Sequence, residues 1–329
     1  MKKTVLITGG AGFIGSHLAE KLVALKCKVI VVDNLYSGNK ANLRKIINKI
    51  NFYKIDIRNN LKLEKIFKKK IDVIIHLAAL ADIVPSIQNP KNYYETNVTG
   101  TFNLLMLAKK YNIKKFVYSA SSSCYGITKS IPTSENVKID TRYPYALTKR
   151  LGEELILHWG SIFKLNYTSL RFFNVYGPRS RTSGAYGAMF GVFLAQKLSG
   201  KPLTIVGNGK QKRDFTYVYD IVNSIVTAMI KKKSKNQIFN VGSGNPVSVN
   251  YIAAKLKGKK VYIPKRPGEP DITCANISKI KKFLNWKPKY SIDQGIELLL
   301  QDINYWKKAP VWSPGKIALA TKTWFKYLS

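Results

Sequence analysis

The sequence has 329 residues and a mass of 37.1 kDa, which suffices for one large domain or two closely joined ones. Its 55 Lys and Arg outnumber 18 Asp and Glu, so the formal net charge is +37. Only nine of these basic residues are arginine, and the lysines are spread along the whole chain. Because nucleic-acid-binding surfaces usually cluster their charge and recruit arginine for base contacts, we interpret the lysines as solvated faces and expect no nucleic-acid partner.

The remaining composition argues against a membrane, secreted or metal-binding protein. Apolar stretches are short and interrupted, and none has the length needed to cross a bilayer. The first apolar run reaches Gly9 too soon to form the core of a signal peptide, which predicts a cytoplasmic protein. Three scattered cysteines suit a reducing compartment, and the three histidines have no metal-ligand spacing with them, so we predict no metal site.

Short β-branched runs alternate with amphipathic stretches from the first residues onward. The runs predict buried parallel strands at residues 4–8, 29–33, 52–56, 73–77, 116–120 and 167–171. The stretches between them predict helices, most clearly at residues 14–25 and 93–111. This alternation predicts an α/β fold, a Rossmann-type doubly wound parallel sheet with helices on both faces.

The pattern loosens after about residue 175. Shorter strands at 203–206 and 238–241 and helices around 218–230 and 296–306 predict a smaller α+β lobe. We therefore divide the chain into residues 1–175 and 176–329, interleaved as one compact body with a cleft between its lobes. A last helix starting near Ser313 is predicted to pack on the protein's own body.

A glycine-rich loop joins the first strand to the first helix. Gly9 permits a tight turn, Gly12 lets the backbone approach a pyrophosphate, and Gly15 lets the helix pack closely on the strand. The helix N-terminus then presents free N–H groups to the phosphates. Asp33, 18 residues after Gly15, ends the next strand and can accept hydrogen bonds from ribose hydroxyls, which favours NAD over NADP.

The ends of the next strands fit the same pocket, with Asp56 and Ile57 flanking an adenine ring and small residues following His76, itself interpreted as structural. The predicted cofactor-binding residues are Gly9, Gly12, Phe13, Ile14, Gly15, Asp33, Asn34, Asp56, Ile57, Leu77, Ala78, Ala79, Tyr145 and Lys149.

The fifth strand ends in serines, and a tyrosine and a lysine follow on one helix face. Tyr145 lies 24 residues after Ser121, and Pro144 suits the first turn of a helix that places Tyr145 and Lys149 one turn apart. A lysine ammonium and a positive nicotinamide nearby are expected to lower the pKa of the tyrosine toward neutrality. Ser121 would hydrogen-bond the same substrate oxygen, so these three residues are the predicted catalytic set.

With these motifs the chain resembles the extended short-chain dehydrogenase/reductases of the nucleotide-sugar epimerase and dehydratase group. The resemblance extends over nearly the whole length, through the segments at residues 171–178, 207–215 and 266–269. It implies NAD as cofactor and a nucleotide sugar as substrate. In such enzymes the last segments hold the diphosphate and ribose of the substrate, and helices corresponding to residues 93–111 and 145–163 often form a homodimer. The substrate-binding residues implied in this way are Ser122, Ser123, Asn174, Arg213, Arg266 and Glu269.

The tip of the fifth strand distinguishes members of this group. Similar 4,6-dehydratases carry an Asp-Glu pair after the serine or threonine, because removing water needs an extra acid and base. Here those positions are Ser122 and Ser123, which resembles 4-epimerases of UDP-hexoses and UDP-N-acetylhexosamines. We therefore expect C4 epimerisation through a transient 4-keto sugar.

Three alternatives remain open at this stage. They are a 4,6-dehydratase with other acids, another enzyme that oxidises a nucleotide sugar at C4, and a non-catalytic NAD- or RNA-binding protein. The sugar and the base depend on the pocket around residues 82–88 and 182–193, which spacing does not reveal.

Overall fold

The computed structural model describes residues 3–180 and 189–328. Most strands belong to one seven-stranded sheet or to three small two-stranded ones. The strands are β1 (Thr4–Thr8), β2 (Lys28–Asp33), β3 (Ile50–Lys54), β4 (Val73–His76), β5 (Lys115–Ser121), β6 (Tyr167–Phe172), β7 (Asn174–Tyr176), β8 (Leu203–Val206), β9 (Lys212–Arg213), β10 (Phe215–Tyr217), β11 (Gln237–Val241), β12 (Val247–Ser248) and β13 (Lys260–Ile263).

Helices connect the strands and cover both faces of the large sheet. They are α1 (Phe13–Ala24), α2 (Asn60–Phe67), α3 (Ile83–Gln88), α4 (Pro90–Tyr94), α5 (Gly100–Lys110), α6 (Pro144–Ile162), α7 (Met189–Leu198), α8 (Val218–Ile230), α9 (Val249–Lys255), α10 (Ser278–Leu284), α11 (Ile292–Gln301) and α12 (Pro314–Tyr327). A π-helical turn, Glu95–Thr99, joins α4 to α5, so the helix predicted at residues 93–111 is interrupted. The helix predicted at residues 296–306 is α11 followed by a 3₁₀ turn, Ile303–Trp306.

The large sheet is parallel and has the strand order β11-β6-β5-β4-β1-β2-β3, which confirms the predicted Rossmann-type fold. Its residues alternate between two cores: Val5 and Ile7 pack on one face, and Leu6 packs on the other. The strands that follow β1 extend the sheet first on one side of it, through β2 and β3, and then on the other side, through β4, β5 and β6. This switch point opens a crevice at the carboxyl ends of the strands, where ligands of such sheets bind.

The six predicted sheet strands are present, with shifts of up to two residues at their ends. The strand predicted at 238–241 was placed in the smaller lobe, and that placement is wrong. As β11 it pairs in parallel with β6 and forms an edge of the large sheet. The crossover between β6 and β11 carries the first part of the smaller lobe, from β7 to β10, and then α8, which packs against α1. Because the chain returns to the large sheet only after a long insertion, no local pattern in the sequence predicts that β11 pairs with β6.

The smaller lobe is built from the three two-stranded sheets and the helices around them. Its core contains Phe190, Phe193, Leu203, Ile252 and Leu299. No helix among the described residues is both long and apolar enough to span a membrane. Within the same residues, no group of three or more His, Cys, Asp or Glu side chains is placed to hold a metal ion.

Candidate active site

Two cavities meet at the carboxyl edge of the large sheet. The first, here called the glycine-loop cavity, has a volume of about 630 Å³ and lies over the ends of β1, β2 and β4. All but one of the predicted cofactor-binding residues line it. Those residues are Gly9, Gly12, Phe13, Ile14, Gly15, Asp33, Asn34, Ile57, Leu77, Ala78, Ala79, Tyr145 and Lys149.

The glycines of the loop are required by close backbone approaches. Gly9 has φ +71°, and a Cβ there would lie 2.7 Å from the backbone nitrogen of Ala78. A Cβ on Gly15 would lie 2.2 Å from the carbonyl oxygen of Gly9. Gly12 is the N-cap of α1 and provides no side-chain cap, so the first N–H groups of the helix are left for a ligand. The loop therefore fits a diphosphate lying across the N-terminus of α1.

Asp33 lies at the end of β2 with its carboxylate buried. Oδ2 accepts a hydrogen bond from the Ala11 N–H at 2.9 Å, and Oδ1 accepts one from the Leu35 N–H at 2.8 Å. Burial raises the pKa of Asp33 above its ordinary value, and the two backbone donors oppose that shift. Each oxygen keeps a lone pair that a ribose hydroxyl could reach, while a 2′-phosphate would meet a like charge.

Asp56 is the predicted cofactor-binding residue that does not line the cavity. Its carboxylate accepts hydrogen bonds from Arg58 Nη2 at 2.8 Å and from Asn34 Nδ2 at 2.9 Å. The hydrogen bonds from Arg58 lower the pKa of Asp56 to about 2. Since Asn34 and Arg58 both line the cavity, Asp56 holds two wall residues in place and is not itself part of the wall.

The second cavity, here called the arginine cavity, has a volume of about 410 Å³ and lies between the two lobes. It contains every predicted substrate-binding residue, and Ser121 and Tyr145 line both cavities. The predicted substrate-binding residues in its wall are Ser122, Ser123, Asn174, Arg213, Arg266 and Glu269.

Two arginines of this cavity share one carboxylate. Glu269 is 3.4 Å from Arg213 Nη2 through Oε2 and 3.1 Å from Arg266 Nη1 through Oε1. Burial lowers the pKa of Arg213, although Glu269 and Asp271 partly offset that effect. Two cations against one anion leave a net positive charge in a partly buried wall, which suits an anionic ligand.

Ser121, Tyr145 and Lys149 come together where the cavities meet. Pro144 occupies the first turn of α6 as predicted, so Tyr145 enters the site one turn before Lys149. Tyr145 lies beside Ser121 and Ser123, whose hydroxyl oxygens are 2.8 Å apart and whose influence opposes a rise in the pKa of the phenol. Burial nevertheless raises the pKa of Tyr145, and Asp82 adds to this. In the chain alone the pKa of Tyr145 is therefore raised, and the lowering expected from Lys149 together with a positive nicotinamide stays a prediction.

Lys149 is buried and lies close to an aromatic ring. Its Nζ is 4.2 Å from the centroid of the Tyr118 ring, and the Tyr118 hydroxyl donates a hydrogen bond to the Lys149 carbonyl at 3.1 Å. Burial lowers the pKa of Lys149 to about 7, while Glu153, one turn further along α6, raises it. Glu153 is held in turn by Arg171, with 2.8 Å between Glu153 Oε2 and Arg171 Nη2. The buried ion pair of Glu153 and Arg171 therefore lies one helical turn from Lys149.

His76 has the structural environment expected for it, and Cys124 is a buried free thiol. His76 Nδ1 is 2.7 Å from Thr8 Oγ1, and its Nε2 is 2.9 Å from Thr101 Oγ1. Burial holds the pKa of His76 well below its ordinary value and raises that of the Cys124 thiol to about 12. Neither side chain is suited to take up or release a proton near neutrality.

The sequence did not identify several residues that approach the cavities from distant parts of the chain. Those in the walls are Arg142, Tyr143, Arg179, Ser180, Tyr305, Ile317 and Trp324. Residues 182–188, part of the stretch expected to shape the substrate pocket, lie outside the described residues. Of these residues, Arg179 could have been noticed in the sequence, because it directly follows Gly177 and Pro178, which end a segment of the resemblance. The others follow no motif and reach the site through tertiary packing.

Comparison with known proteins agrees with this geometry. The family model described as the NAD dependent epimerase/dehydratase family matches residues 5–242. A UDP-glucuronate 4-epimerase from Thermodesulfobacterium geofontis is 37% identical over 308 residues, covering 89% of this chain and 93% of its own. The crystal structure of a UDP-glucose 4-epimerase from Thermotoga maritima with UDP-glucose superposes with a TM-score of 0.87. It is 35% identical and covers 93% of this chain and 99% of its own.

A second solved structure has a different activity in its name. A dTDP-glucose 4,6-dehydratase from Streptomyces venezuelae, crystallised with NAD, is 25% identical to this chain. It covers 93% of this chain and 97% of its own, with a TM-score of 0.85. The fold alone therefore does not separate epimerisation from dehydration.

Proposed function

Because the chain belongs to the NAD dependent epimerase/dehydratase family, we propose that it epimerises a UDP-hexose or a UDP-N-acetylhexosamine at C4. The observation that carries this proposal is the meeting of the two cavities at Ser121 and Tyr145. A sugar bound in the arginine cavity and a nicotinamide bound in the glycine-loop cavity would both reach these two hydroxyls.

The glycine-loop cavity fits NAD. The uncapped N-terminus of α1 would bind the diphosphate, and Asp33 would accept hydrogen bonds from a ribose. When bound, NAD supplies the acceptor and later the donor of the hydride at C4 of the sugar. The protein's task is to hold the dinucleotide tightly and to manage the proton.

Tyr145 Oη would take the proton of the sugar 4-hydroxyl and return it at the end of the reaction. Ser121, which lines both cavities together with Tyr145, would steady the charge that develops on the same oxygen. Because burial raises the pKa of Tyr145, the residues of the chain do not by themselves make it a base at neutral pH. A positive charge on Lys149, supported by Glu153, together with the positive nicotinamide would favour the phenolate.

The arginine cavity would hold the nucleotide and leave the sugar able to turn. Arg213 and Arg266 would bind the diphosphate through their forks, and Glu269 would bind the nucleoside ribose. A grip on the diphosphate alone lets the sugar present either face to the junction. That freedom is what epimerisation at C4 requires.

Serine at the strand tip is the reason to prefer epimerisation to dehydration. Ser122 and Ser123 line the arginine cavity beside Tyr145, where a 4,6-dehydratase needs an acid and a base. Hydroxyl groups with ordinary acidity do not provide them. The sugar is less constrained, since relatives of similar identity are named for different sugars.

We further propose a homodimer formed through α5 and α6. These helices pack on each other and leave apolar side chains in solvent, among them Phe102 and Met106 on α5 and Leu147 and Ile162 on α6. Exposed apolar groups on two adjacent helices are typical of a protein interface.

The test is to incubate the purified protein separately with UDP-glucose, UDP-N-acetylglucosamine and UDP-glucuronate, without added cofactor. Chromatography and NMR then identify the products. We expect the C4 epimer of one neutral sugar, formed by NAD that was purified with the protein. A 4-keto-6-deoxy product or net formation of NADH, after other nucleotide sugars and NAD are supplied, would refute epimerisation while leaving the fold and site intact.

A further inference from the structure

The last helix, α12, forms part of the wall of the arginine cavity. Ser313 caps it by accepting a hydrogen bond from the Lys316 N–H at 3.3 Å. Ile317 and Trp324 are buried on one face and line the cavity, whereas Leu319 on the opposite face is 77% exposed. The predicted packing of this helix on the protein's own body is confirmed. Its place in the wall of the candidate active site was not predicted.

Trp324 makes two contacts with the loop that carries Arg266 and Glu269. Its Nε1 donates a hydrogen bond to the Pro267 carbonyl at 2.7 Å. The Arg266 guanidinium lies over the Trp324 ring, 5.5 Å from its centroid. The indole therefore fixes both the backbone of the loop and the direction of the Arg266 side chain, and only 3% of Trp324 is exposed.

Through Arg266 these contacts extend to the whole charged wall of the cavity. Glu269 bridges Arg266 and Arg213, so a guanidinium displaced from Trp324 would also move the carboxylate shared with Arg213. Bidentate binding of a phosphate requires the guanidinium fork to have a fixed plane. A rigid aromatic surface beneath Arg266 provides that plane before the ligand arrives, which reduces the entropy lost on binding.

The helix also contacts the other side of the cavity. Gln88 Nε2 donates a hydrogen bond to Thr323 Oγ1 at 3.2 Å, and α12 packs against α3. Because α3 starts directly after Asp82, which lines both cavities, α12 connects the nucleotide end of the site with its reactive end.

We infer that Trp324 is a positioning residue that holds Arg266 for the diphosphate of the nucleotide sugar, which makes α12 part of the substrate site. This inference rests on the proposed function, since it takes a nucleoside diphosphate as the ligand. Because Trp324 contacts Pro267 and Arg266 in the loop that would bind the diphosphate, its loss should raise KM and leave kcat nearly unchanged.

The experiment compares three variants of the full chain with the wild-type protein. Trp324→Leu removes the ring and the hydrogen bond, and Trp324→Phe keeps a ring but removes the donor. Leu319→Ala is the control on the solvent face of the same helix. We would measure the Kd of UDP by titration calorimetry and the melting temperature of each variant. KM and kcat would be measured with the nucleotide sugar that the product assay of the wild-type protein identifies.

We expect Trp324→Leu to weaken UDP binding about tenfold or more and to raise KM by the same factor. Trp324→Phe should lie between it and the wild type, and Leu319→Ala should match the wild type. Wild-type affinity for UDP in a folded Trp324→Leu protein would overturn the inference, as would a loss confined to kcat.

Hydrogen exchange of the wild-type protein adds a test that does not depend on the variants folding. UDP should slow amide exchange in residues 314–328, and unchanged exchange there with UDP bound would overturn the inference. If the wild-type protein itself does not bind UDP, the proposed substrate class fails, and the inference fails with it. The two failures are distinguishable, because the wild-type protein still binds UDP when the inference alone fails and does not bind it when the proposed substrate class fails.

Discussion

Lys115 is a buried lysine whose replacement should stabilise the protein. It is the first residue of β5, at the edge of the sheet opposite the active site, and it is only 7% exposed. Its Nζ donates a hydrogen bond to Ser234 Oγ at 2.6 Å, and Ser234 in turn donates to main-chain carbonyls. Burial, with a smaller contribution from Lys3, lowers the pKa of Lys115 to about 8.

The cost of this burial depends on pH. Because the pKa of Lys115 is lower in the folded protein, the unfolded chain holds the additional proton between about pH 8 and pH 10.5. Stability therefore falls as the pH drops through that window, and below it the loss is complete, about 3 kcal/mol. The hydrogen bond to Ser234 returns about 1 kcal/mol. Lys115→Met should thus gain about 2 kcal/mol at pH 7, and this gain should vanish at about pH 10, where the remaining cost of burial equals the value of the lost hydrogen bond.

Urea unfolding of the wild type and Lys115→Met at pH 7 and at pH 10 measures both quantities. Lys114→Met is the matched control. Lys114 is exposed, and its ion pair with Asp72, with 3.9 Å between Nζ and Oδ1, is a weak surface pair. We therefore expect its replacement to change the stability by no more than about 0.5 kcal/mol. The difference between variant and wild type isolates Lys115 from the many other lysines that titrate in the same range. A variant less stable than the wild type at pH 7, or a gain that does not depend on pH, would refute the reasoning.

Three further predictions concern the site and the assembly. Tyr145→Phe should lower kcat by about 10²- to 10⁴-fold with an unchanged Kd for UDP, since the ring stays and the proton carrier is lost; activity within about tenfold of the wild type would contradict its role. Asp33→Ala should lower the amount of NAD that stays with the protein through gel filtration, measured by chromatography after denaturation; full retention would show that the ribose is held elsewhere. Phe102→Glu combined with Met106→Glu should convert the proposed dimer to a monomer in sedimentation experiments, because it places two charges in the apolar interface. In the single chain Phe102 is 40% exposed and Met106 is 43% exposed. An unchanged sedimentation coefficient would place the interface on another surface.

The sequence was most informative where function is tied to the end of a strand. Gly9, Asp33 and Ser121 each follow an apolar run, so predicting the strand also places the residue at the carboxyl edge of the sheet. Tyr145 and Lys149 could be predicted as a pair, because residues four apart in a helix lie on the same face. In these cases one local pattern determines both the element and the position of the side chain within it.

Residues whose position depends on tertiary packing could not be predicted in this way. Asp56 follows β3 at the expected place, yet Arg58 and Asn34 bind its carboxylate and take its place in the cavity wall. Tyr305 and Trp324 come from the last part of the chain and meet the cavities only after α11 and α12 have packed. The pKa of Tyr145 belongs to the same class, because it reflects how deeply the folded protein buries the ring.

The positive charge of the chain divides into two populations with different physical roles. Seven of the eight arginines among the described residues are paired with a carboxylate, and five of those seven have side chains less than one-fifth exposed. The five lysines that form ion pairs in the same part of the chain are all solvent-exposed. Planar guanidinium groups hold a fixed geometry when buried, whereas ammonium groups are strongly hydrated and stay in water.

Such a division favours the interpretation that the net charge of +37 lies on solvated faces. In the proposed function, specific recognition of an anion would then fall to Arg213 and Arg266, which the fold places in one cavity with Glu269 between them. The surrounding lysines would raise the local concentration of an anionic substrate without selecting it, and they would do so less at high salt. Affinity and selectivity for the proposed nucleotide would therefore depend on how firmly the protein holds its two arginines, which is the role that we propose for Glu269 and for the indole of Trp324.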